Sequence, residues 1–208
     1  MRLALIGMSG SGKTFWTKKL AEKGASAVFC DDQIERRLAA RLGPGGYSGI
    51  HGVAAWMGWP PSPTYAEREA EYLVEEIYTL DEVLNELEQK PEKSLVLDTT
   101  GSVIYAGNHL LMRLRRQMTI VYLAATEQER QLLIERYLND PKPVLWRGAF
   151  QSKSGETPRE TVARCYPALM EARRRSYEAL AHCTLSVAEL RAPLDAEQFL
   201  ERVRKQIR

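Results

Sequence analysis

Short apolar runs alternate with amphipathic stretches along most of this chain. Continuous apolar runs of strand length lie at residues 2–6, 25–30, 94–97, 118–124 and 183–187. Between them, apolar residues recur at helical spacing, as in the long stripe from Tyr72 to Leu87. Strands that alternate with helices favour a parallel sheet covered by helices on both faces. The pattern therefore predicts one α/β domain over residues 1–208, with three layers and a five-stranded parallel sheet.

Two helix starts can be predicted from capping residues. Thr126 with Glu129 and Thr157 with Glu160 both have the spacing of a capping box, in which a hydroxyl and a carboxylate satisfy each other's backbone N–H groups. Pro158 stands at the first helical position of the second pair, where proline is favoured. We predict a helix directly after each threonine.

Composition limits the possible partners. Lys+Arg (29) and Asp+Glu (27) nearly balance, so the overall charge gives no reason to expect a nucleic acid or a membrane as partner. Three widely spaced cysteines indicate neither a disulfide framework nor a metal site. From the pattern of its first residues and its apolar runs we expect neither a signal peptide nor a membrane-spanning segment. We expect a cytoplasmic protein, monomeric or homodimeric, that acts on a small molecule.

The alternation of elements is interrupted by residues 43–63, which contain six glycines, four prolines and two tryptophans. This density of turn-forming residues argues against a core strand, although residues 53–57 have the composition of a short helix. We interpret residues 43–92, which include the long helix that follows, as a substrate-binding region.

Residues 7–14 match the phosphate-loop pattern G-x-x-x-x-G-K-[ST], directly between an apolar strand and a helix. A random chain of this length would match the pattern roughly once in a hundred. The glycines let backbone N–H groups turn toward a phosphate, and the helix N-terminus adds positive potential. Lys13 is expected to reach the β- and γ-phosphates, and Thr14 to ligate magnesium. The expected nucleotide-binding residues are Gly7, Ser9, Gly10, Ser11, Gly12, Lys13 and Thr14.

Asp98 ends the apolar run at residues 94–97. A carboxylate at the end of a buried strand beside a phosphate loop can hold magnesium or its water ligands. Aspartate also starts turns, which is the alternative interpretation. We expect Asp98 to share the metal site with Thr14.

Asp31 and Asp32 end the neighbouring run and should face the same edge of the sheet, where open α/β sheets bind ligands. Asp31 is a further candidate for the metal, with helix capping as the alternative. Asp32 is expected to orient an acceptor hydroxyl and take its proton. Together with Glu35, Asp32 also has the spacing of a helix cap.

Residues 139–158 form a second irregular segment, and residues 142–159 carry four basic residues and one acidic residue. A loop of this length is usually functional or mobile. We interpret residues 139–158 as a lid that closes cations over the phosphates, with Lys142 and Arg147 as the catalytic candidates. A solvated surface loop is the alternative.

The order of these motifs resembles the shikimate kinase group of the nucleoside-monophosphate-kinase-like P-loop proteins over nearly the whole chain. Residues 29–35 are similar to that family's second strand with its paired aspartates, which places Asp32 at the substrate hydroxyl. Residues 142–145 resemble the lid, with Lys142 where the family has arginine. The resemblance implies ATP and Mg²⁺, and transfer of a phosphoryl group to a hydroxyl of a small, acidic metabolite.

The same resemblance implies a clamp for a substrate carboxylate. Residues 68–71 are similar to the family's Arg-x-x-Glu, and residues 168–173 resemble its late helix, so Arg68 and Arg173 would bind the acidic group. The family's triple glycine appears here as residues 98–101, which leaves Gly101 as the expected substrate contact. The added side chains favour a related acceptor of different shape over shikimate itself.

Two other functions remain open from the sequence. Trp56 and Trp59 could stack on the base of a nucleoside or nucleotide acceptor, although aromatic residues near loops are more often packing anchors. A nucleotide-binding switch without a small acceptor would need only the phosphate loop. ATP is favoured over GTP through the resemblance alone.

Overall fold

A computed structural model describes residues 1–207, so Arg208, the last residue of the predicted domain, lies outside the described residues. Its strands form a five-stranded parallel sheet in the order β2-β3-β1-β4-β5. The strands are β1 (Arg2–Ile6), β2 (Ser26–Phe29), β3 (Leu95–Asp98), β4 (Thr119–Ala124) and β5 (Cys183–Ser186). The helices are α1 (Lys13–Ala21), α2 (Cys30–Arg37), α3 (Ala39–Leu42), α4 (Gly49–Met57), α5 (Tyr65–Gln89), α6 (Asn108–Gln117), α7 (Glu127–Asn139), α8 (Pro158–Leu180), α9 (Val187–Leu190) and α10 (Ala196–Ile207).

The central strand β1 shows why these apolar runs are continuous. Leu3 and Leu5 pack into one hydrophobic cluster with residues of α1 and α10, while Ala4 and Ile6 pack into a larger cluster on the opposite face of the sheet. Both faces of the strand are therefore buried, and burying one leucine or isoleucine side chain contributes about 1.5–3 kcal/mol. The predicted α/β architecture with a five-stranded parallel sheet between helices is confirmed.

Both predicted capping boxes are confirmed. The Thr126 hydroxyl accepts from the backbone N–H of Glu129, and the Glu129 side chain accepts from the backbone N–H of Thr126. Thr157 and Glu160 form the same pair at the start of α8.

The predicted cap of α2 is wrong. The chain enters this helix directly from β2, with Phe29 at the capping position, so the helix starts at Cys30. Asp31 and Asp32 therefore lie inside the first turn, where their negative charge meets the positive end of the helix dipole.

The two irregular segments contain ordered structure. Within residues 43–63, α4 inserts Val53 and Trp56 into the core. Within residues 139–158, Val144 to Trp146 are buried, while residues 151–155 are exposed. The Tyr65 hydroxyl donates to the carbonyl of Val144 (2.7 Å) and accepts from the backbone N–H of Trp146 (3.0 Å). The middle of the second segment is thus fastened to the start of α5.

Within residues 1–207, no helix has both the length and the apolar composition needed to cross a lipid bilayer.

Candidate active site

The phosphate loop has a backbone conformation that requires glycine. Gly7 has φ 144°, and a Cβ atom there would lie 2.8 Å from the carbonyl oxygen of Leu123. Gly10 has φ 83°, and its Cβ would lie 2.8 Å from Leu133 Cδ2. Both positions have a positive φ, and at Gly7 the backbone carbonyl also leaves no room for a side chain. The loop after β1 is therefore shaped by its neighbours into a narrow turn at the N-terminus of α1.

Lys13 lies in the centre of this turn with only 7% of its surface exposed. Its Nζ donates to the carbonyl oxygens of Gly7 (2.9 Å) and Met8 (3.1 Å). Burial lowers the pKa of the Lys13 ammonium, and the carboxylates of Asp98 and Asp31 oppose that shift. A buried cation held by carbonyl oxygens alone is well placed to bind an anion.

The Thr14 hydroxyl donates to Asp98 Oδ2 at 2.6 Å. Asp98 ends β3 opposite Leu5 of β1, and only 6% of its surface is exposed. Burial raises the pKa of the Asp98 carboxyl, while Lys13 and the hydrogen bond from Thr14 lower it. The register of two neighbouring strands thus brings the acid predicted for the metal to the phosphate loop.

Hydroxyl and carboxylate oxygens are the ligands that magnesium prefers. Within residues 1–207, no three His, Cys, Asp or Glu side chains converge as a metal cage. The arrangement fits an ion that takes one or two protein oxygens and completes its octahedron with phosphate oxygens and water.

The site is divided into two connected spaces, which we call the outer cleft and the inner pocket. The outer cleft has a volume of about 420 Å³ and the inner pocket about 20 Å³. The outer cleft is lined by Ser9, Gly10, Gly12, Lys13, Thr14, Lys18, Phe29, Asp31, Asp32, Ile50, Asp98 and Lys142. The inner pocket is lined by Ser9, Lys13, Asp31, Ile50, Tyr72, Thr100, Gly101, Ser102, Lys142, Pro143, Val144, Tyr166 and Arg173.

The two aspartates of α2 occupy different places. Asp31 borders both spaces and accepts a hydrogen bond from the Tyr72 hydroxyl at 3.1 Å. Water reaches Asp31 through the cleft, yet the surrounding protein raises the pKa of its carboxyl by desolvation, against the opposing effect of Lys13. Asp32 borders the outer cleft alone. Asp31, rather than Asp32, faces the inner pocket.

The two lid cations are also separated. Lys142 borders both the outer cleft and the inner pocket. Arg147 lies farther along the segment, where its backbone N–H donates to Glu69 Oε1 (3.0 Å) and its guanidinium lies 5.9 Å from the centroid of the Tyr105 ring. The structure brings Lys142 to the phosphate loop and directs Arg147 toward Tyr105.

Of the two arginines predicted to clamp a carboxylate, Arg173 lines the inner pocket and is 2% exposed. Its terminal nitrogens donate to the carbonyl oxygens of Gly101 (3.0 Å) and Leu145 (2.7 Å). Arg68 lies elsewhere: its Nη1 donates to the carbonyl of Trp56, and its guanidinium lies 5.6 Å from the centroid of that indole ring. The structure does not bring the two guanidinium groups together in the pocket.

Gly101 lies between the phosphate loop and Arg173. A Cβ atom at this position would lie 3.3 Å from Arg173 Nη1 and 3.5 Å from the backbone nitrogen of Ser9. Its carbonyl also accepts a hydrogen bond from the Tyr177 hydroxyl. The glycine therefore allows the strand end and the loop to approach closely at the pocket wall.

Sequence reasoning missed a buried polar group behind the pocket. Glu76, 3% exposed, accepts hydrogen bonds from the hydroxyls of Ser102 (2.7 Å) and Thr100. Burial raises the pKa of the Glu76 carboxyl to about 7. Its signal in the sequence was a carboxylate within an apolar helical stripe, four residues after Tyr72 and four before Leu80.

A third cavity, of about 480 Å³, lies on the other side of the phosphate loop and was also missed. It is lined by Gly10, Ser11, Gly12, Phe15, Trp16, Lys19, Leu132, Arg136, Val187, Leu190, Arg191, Ala192, Pro193 and Leu194. Phe15 exposes 58% of its surface there. The signal available in the sequence was an aromatic residue, Phe15, directly after the phosphate loop.

The tryptophans considered for base stacking contribute to packing. Trp56 is buried in the main hydrophobic cluster, and Trp59 packs against the same cluster. Neither residue borders the outer cleft or the inner pocket.

No protein-family model matches this sequence, and a search of curated proteins found no match. Solved structures do match over nearly the whole chain. Shikimate kinase from Acinetobacter baumannii, in complex with shikimate, has a TM-score of 0.61 at 23% identity and covers 99% of this chain and 90% of its own. Shikimate kinase from Bacteroides thetaiotaomicron has a TM-score of 0.60 at 22% identity, with coverages of 99% and 97%. The tunicamycin resistance protein of Deinococcus radiodurans reaches 0.50 at 16% identity, with coverages of 99% and 95%.

This similarity establishes the fold: the chain has the P-loop kinase architecture that these shikimate kinases share. The resemblance inferred from the order of the motifs is confirmed at that level. Functions are not carried over at these identities, and the matched proteins themselves have different functional names.

Proposed function

We propose that this protein transfers the γ-phosphoryl group of ATP to a hydroxyl of a small molecule in a magnesium-dependent reaction. The observation that carries the proposal is the junction between the two spaces of the site. Lys13, Asp31 and Lys142 line both the outer cleft and the inner pocket. A hydroxyl in the inner pocket would therefore lie next to a phosphate in the outer cleft, and such positioning is most of what phosphoryl transfer requires.

The phosphates would be bound by the loop and by two lysines. The N-terminus of α1 and the backbone N–H groups of residues 7–14 provide positive potential. Lys13 would exchange its bonds to the Gly7 and Met8 carbonyls for bonds to phosphate oxygens. Lys142, across the cleft, would neutralise charge that develops on the transferred group.

Magnesium, when bound, would supply positive charge that neutralises the phosphates. Thr14 and Asp98 would hold it, since their oxygens already meet at 2.6 Å beside the loop. Asp32, which borders the same cleft, would bind one of its water ligands. These three residues supply the oxygen donors that the ion prefers.

Asp31 would orient the acceptor hydroxyl and take its proton. It is the carboxylate that borders the inner pocket, and the Tyr72 hydroxyl orients it. This proposal gives Asp31 the role that the family resemblance implies for Asp32, and it gives Asp32 a part in the metal site that was expected for Asp31. The reason is geometric: α2 begins at Cys30, so Asp31 and Asp32 lie in one helical turn and point in different directions.

The third cavity would hold the adenine base. It adjoins the loop at Gly10 to Gly12 and offers apolar and cationic groups, among them Phe15, Arg136 and Pro193. A flat aromatic base can stack on such groups. A base in this cavity and phosphates in the outer cleft would lie on opposite sides of the same glycine turn.

The predicted substrate-binding region and lid keep these roles in the proposal. Ile50 of α4, from residues 43–92, borders the inner pocket, as do Lys142 and Val144 from residues 139–158. In this conformation the pocket has room for about one water molecule. These walls must therefore move apart before an acceptor can enter. Opening and closing would also exclude water from the transferred group.

The test is magnesium-dependent ATP consumption by the purified protein, measured with and without a panel of hydroxy acids, sugars, cyclitols and nucleosides. Strong stimulation by one acceptor, lost in Lys13→Ala, supports the proposal. ATP binding with only slow hydrolysis and no stimulation by any acceptor contradicts it and favours a nucleotide-binding switch.

A further inference from the structure

Three hydroxyl groups in the wall of the inner pocket already donate their protons in hydrogen bonds to carboxylates. The Ser102 hydroxyl donates to Glu76 Oε2 at 2.7 Å, and the Thr100 hydroxyl donates to Glu76 Oε1. The Tyr72 hydroxyl donates to Asp31 Oδ1 at 3.1 Å. A hydroxyl has one proton and two lone pairs, so each of these oxygens can only accept a hydrogen bond from a ligand.

Glu76 determines this polarity. Its two carboxylate oxygens each accept from one hydroxyl, and an ionised carboxylate has no proton to give. The backbone N–H of Ser102 also donates to Thr100 Oγ1 at 3.1 Å, which further fixes the Thr100 hydroxyl. Above the pKa of about 7, where Glu76 is ionised, the buried carboxylate therefore turns this wall into a row of acceptors.

The cations at the pocket leave little positive charge for a ligand carboxylate. Lys13 and Lys142 border it from the side of the outer cleft, where the proposed function assigns them to phosphates. Behind the pocket, the Glu76 carboxylate interacts with the charges of both Arg173 and Asp31. A ligand carboxylate would add a third negative charge beside these two.

Arg173 is held in place by the main chain. Both of its terminal nitrogens donate to main-chain carbonyls, and its guanidinium lies 5.4 Å from the centroid of the Tyr105 ring. Within the described residues its buried Nε has no hydrogen-bond partner, so this N–H can bind a ligand oxygen. Each terminal nitrogen also keeps one further N–H. Discrimination against a ligand carboxylate therefore comes from the carboxylates of Asp31 and Glu76 and not from a shortage of N–H groups.

We propose that the acceptor is an uncharged polyhydroxylated compound, of the sugar or cyclitol class, and that its carboxylic acid analogues are disfavoured. Hydroxyls of such a compound donate to Asp31, Thr100 and Ser102 and accept from Arg173 Nε. This inference rests on the proposed function, and it replaces the acidic acceptor that the family resemblance implies.

The first test measures binding, so that it does not depend on turnover. Calorimetry with magnesium and a non-hydrolysable ATP analogue compares matched pairs: glucose with glucuronate, and methyl shikimate with shikimate, alongside inositols and pentitols. It is run at about pH 8, above the raised pKa of the Glu76 carboxyl. We expect a neutral polyol to bind roughly tenfold or more tightly than its acid partner. Tighter binding of the acids, or no binding by any neutral polyol, overturns the inference.

Variants test the proposed wall directly. Thr100→Val removes one acceptor oxygen at nearly constant volume and is expected to weaken polyol binding about tenfold without changing nucleotide affinity. Thr79→Val is the matched control, because Thr79 is buried on α5 and its hydroxyl finds no partner in the described part of the chain. Unchanged polyol binding in Thr100→Val, with thermal stability like that of the control, contradicts the inference.

Glu76→Gln provides a second variant in case Thr100→Val does not fold. An amide donates to one of the two hydroxyls and releases its proton toward the pocket. The ratio between the affinity for a neutral polyol and the affinity for its matched acid should then fall roughly tenfold. A preference equal to that of the wild type contradicts the role of Glu76.

Failure of this inference is distinguishable from failure of the proposed function. If an acid binds tightly and is phosphorylated, the proposed function stands and the inference is wrong. If a neutral polyol binds and no phosphoryl group is transferred, the inference stands and the proposed function is wrong.

Discussion

Thr14 and Asp98 are joined by a hydrogen bond of 2.6 Å between the first turn of α1 and the end of β3. The two residues are far apart in the sequence, and the parallel pairing of β1 with β3 brings them together. The contact ties the loop that would hold phosphate to the carboxylate that would hold magnesium. Both residues should therefore be required for the metal dependence of the reaction.

Thr14→Val should lower kcat/KM for magnesium ATP by about two orders of magnitude, because it removes a metal ligand from the transferred phosphate. Thr14→Ser keeps the hydroxyl and should retain most activity. Steady-state kinetics over a magnesium titration check both variants. Equal activity of the valine and serine variants would show that the hydroxyl is not a ligand.

Lys13→Ala should reduce transfer by two to three orders of magnitude, on the order of the loss of one transition-state donor. Thermal stability should stay equal or rise, because the variant removes a buried ammonium whose pKa burial has lowered. Calorimetric melting and turnover are measured on the same sample. Near-wild-type turnover would remove the basis of the kinase assignment.

Asp31→Asn should lower kcat about a hundredfold and change nucleotide affinity far less, because Asp31 reaches the acceptor side of the site as well as the cleft. Asp32→Asn should instead raise the magnesium concentration needed for half-maximal rate. Kinetics at several magnesium concentrations separate the two effects. The opposite result would restore the role of Asp32 implied by the family resemblance and the expected metal role of Asp31.

Glu76 should make stability depend on pH. Burial raises the pKa of its carboxyl from 4.5 to about 7, so the folded state binds the proton more tightly than the unfolded chain. The free energy of unfolding should therefore fall as pH rises from about 4.5 to about 7. Glu76→Gln cannot ionise, and its stability relative to the wild type should rise across this window by on the order of 3 kcal/mol.

Denaturant unfolding at a series of pH values measures this difference. Glu67→Gln, exposed in the first turn of the same helix, is the matched control. A constant difference between Glu76→Gln and wild type across the window would show that Glu76 ionises alike in both states.

Arg68→Ala should lower stability by about 1 kcal/mol, because the side chain donates to the carbonyl of Trp56 and stacks near its ring. The KM for the acceptor should not change, since this guanidinium lies away from the inner pocket. A tenfold rise in that KM, with unchanged stability, would support the clamp implied by the resemblance.

The sheet was predictable because its strands are buried on both faces. Their apolar runs are continuous, and β1 begins and ends where the pattern places it, at Arg2 and Ile6. The start of α2 was not predictable from capping rules, since the chain turns into the helix directly from the strand at Phe29. Sequence spacing alone could not show this tight junction.

The phosphate loop was predictable because its residues are contiguous. The inner pocket was not, because its walls come from segments scattered along the chain, among them α4, α5, the end of β3, residues 142–144 and α8. Arg68, Tyr72 and Glu76 are spaced by four residues on one helix, so motif spacing could not tell which of them would reach the pocket. α5 packs against both α2 and α4, and its Tyr72 bonds Asp31 of α2 whereas its Arg68 bonds the carbonyl of Trp56 in α4.

The central claim is that a phosphoryl group passes from ATP to a small hydroxyl compound. The most direct measurement is the stoichiometry of products, with ADP, free phosphate and phosphorylated acceptor quantified together by ³¹P NMR. The account predicts phosphorylated acceptor in an amount equal to the ADP formed, in wild type and not in Lys13→Ala. Free phosphate equal to the ADP, whatever acceptor is present, would contradict it.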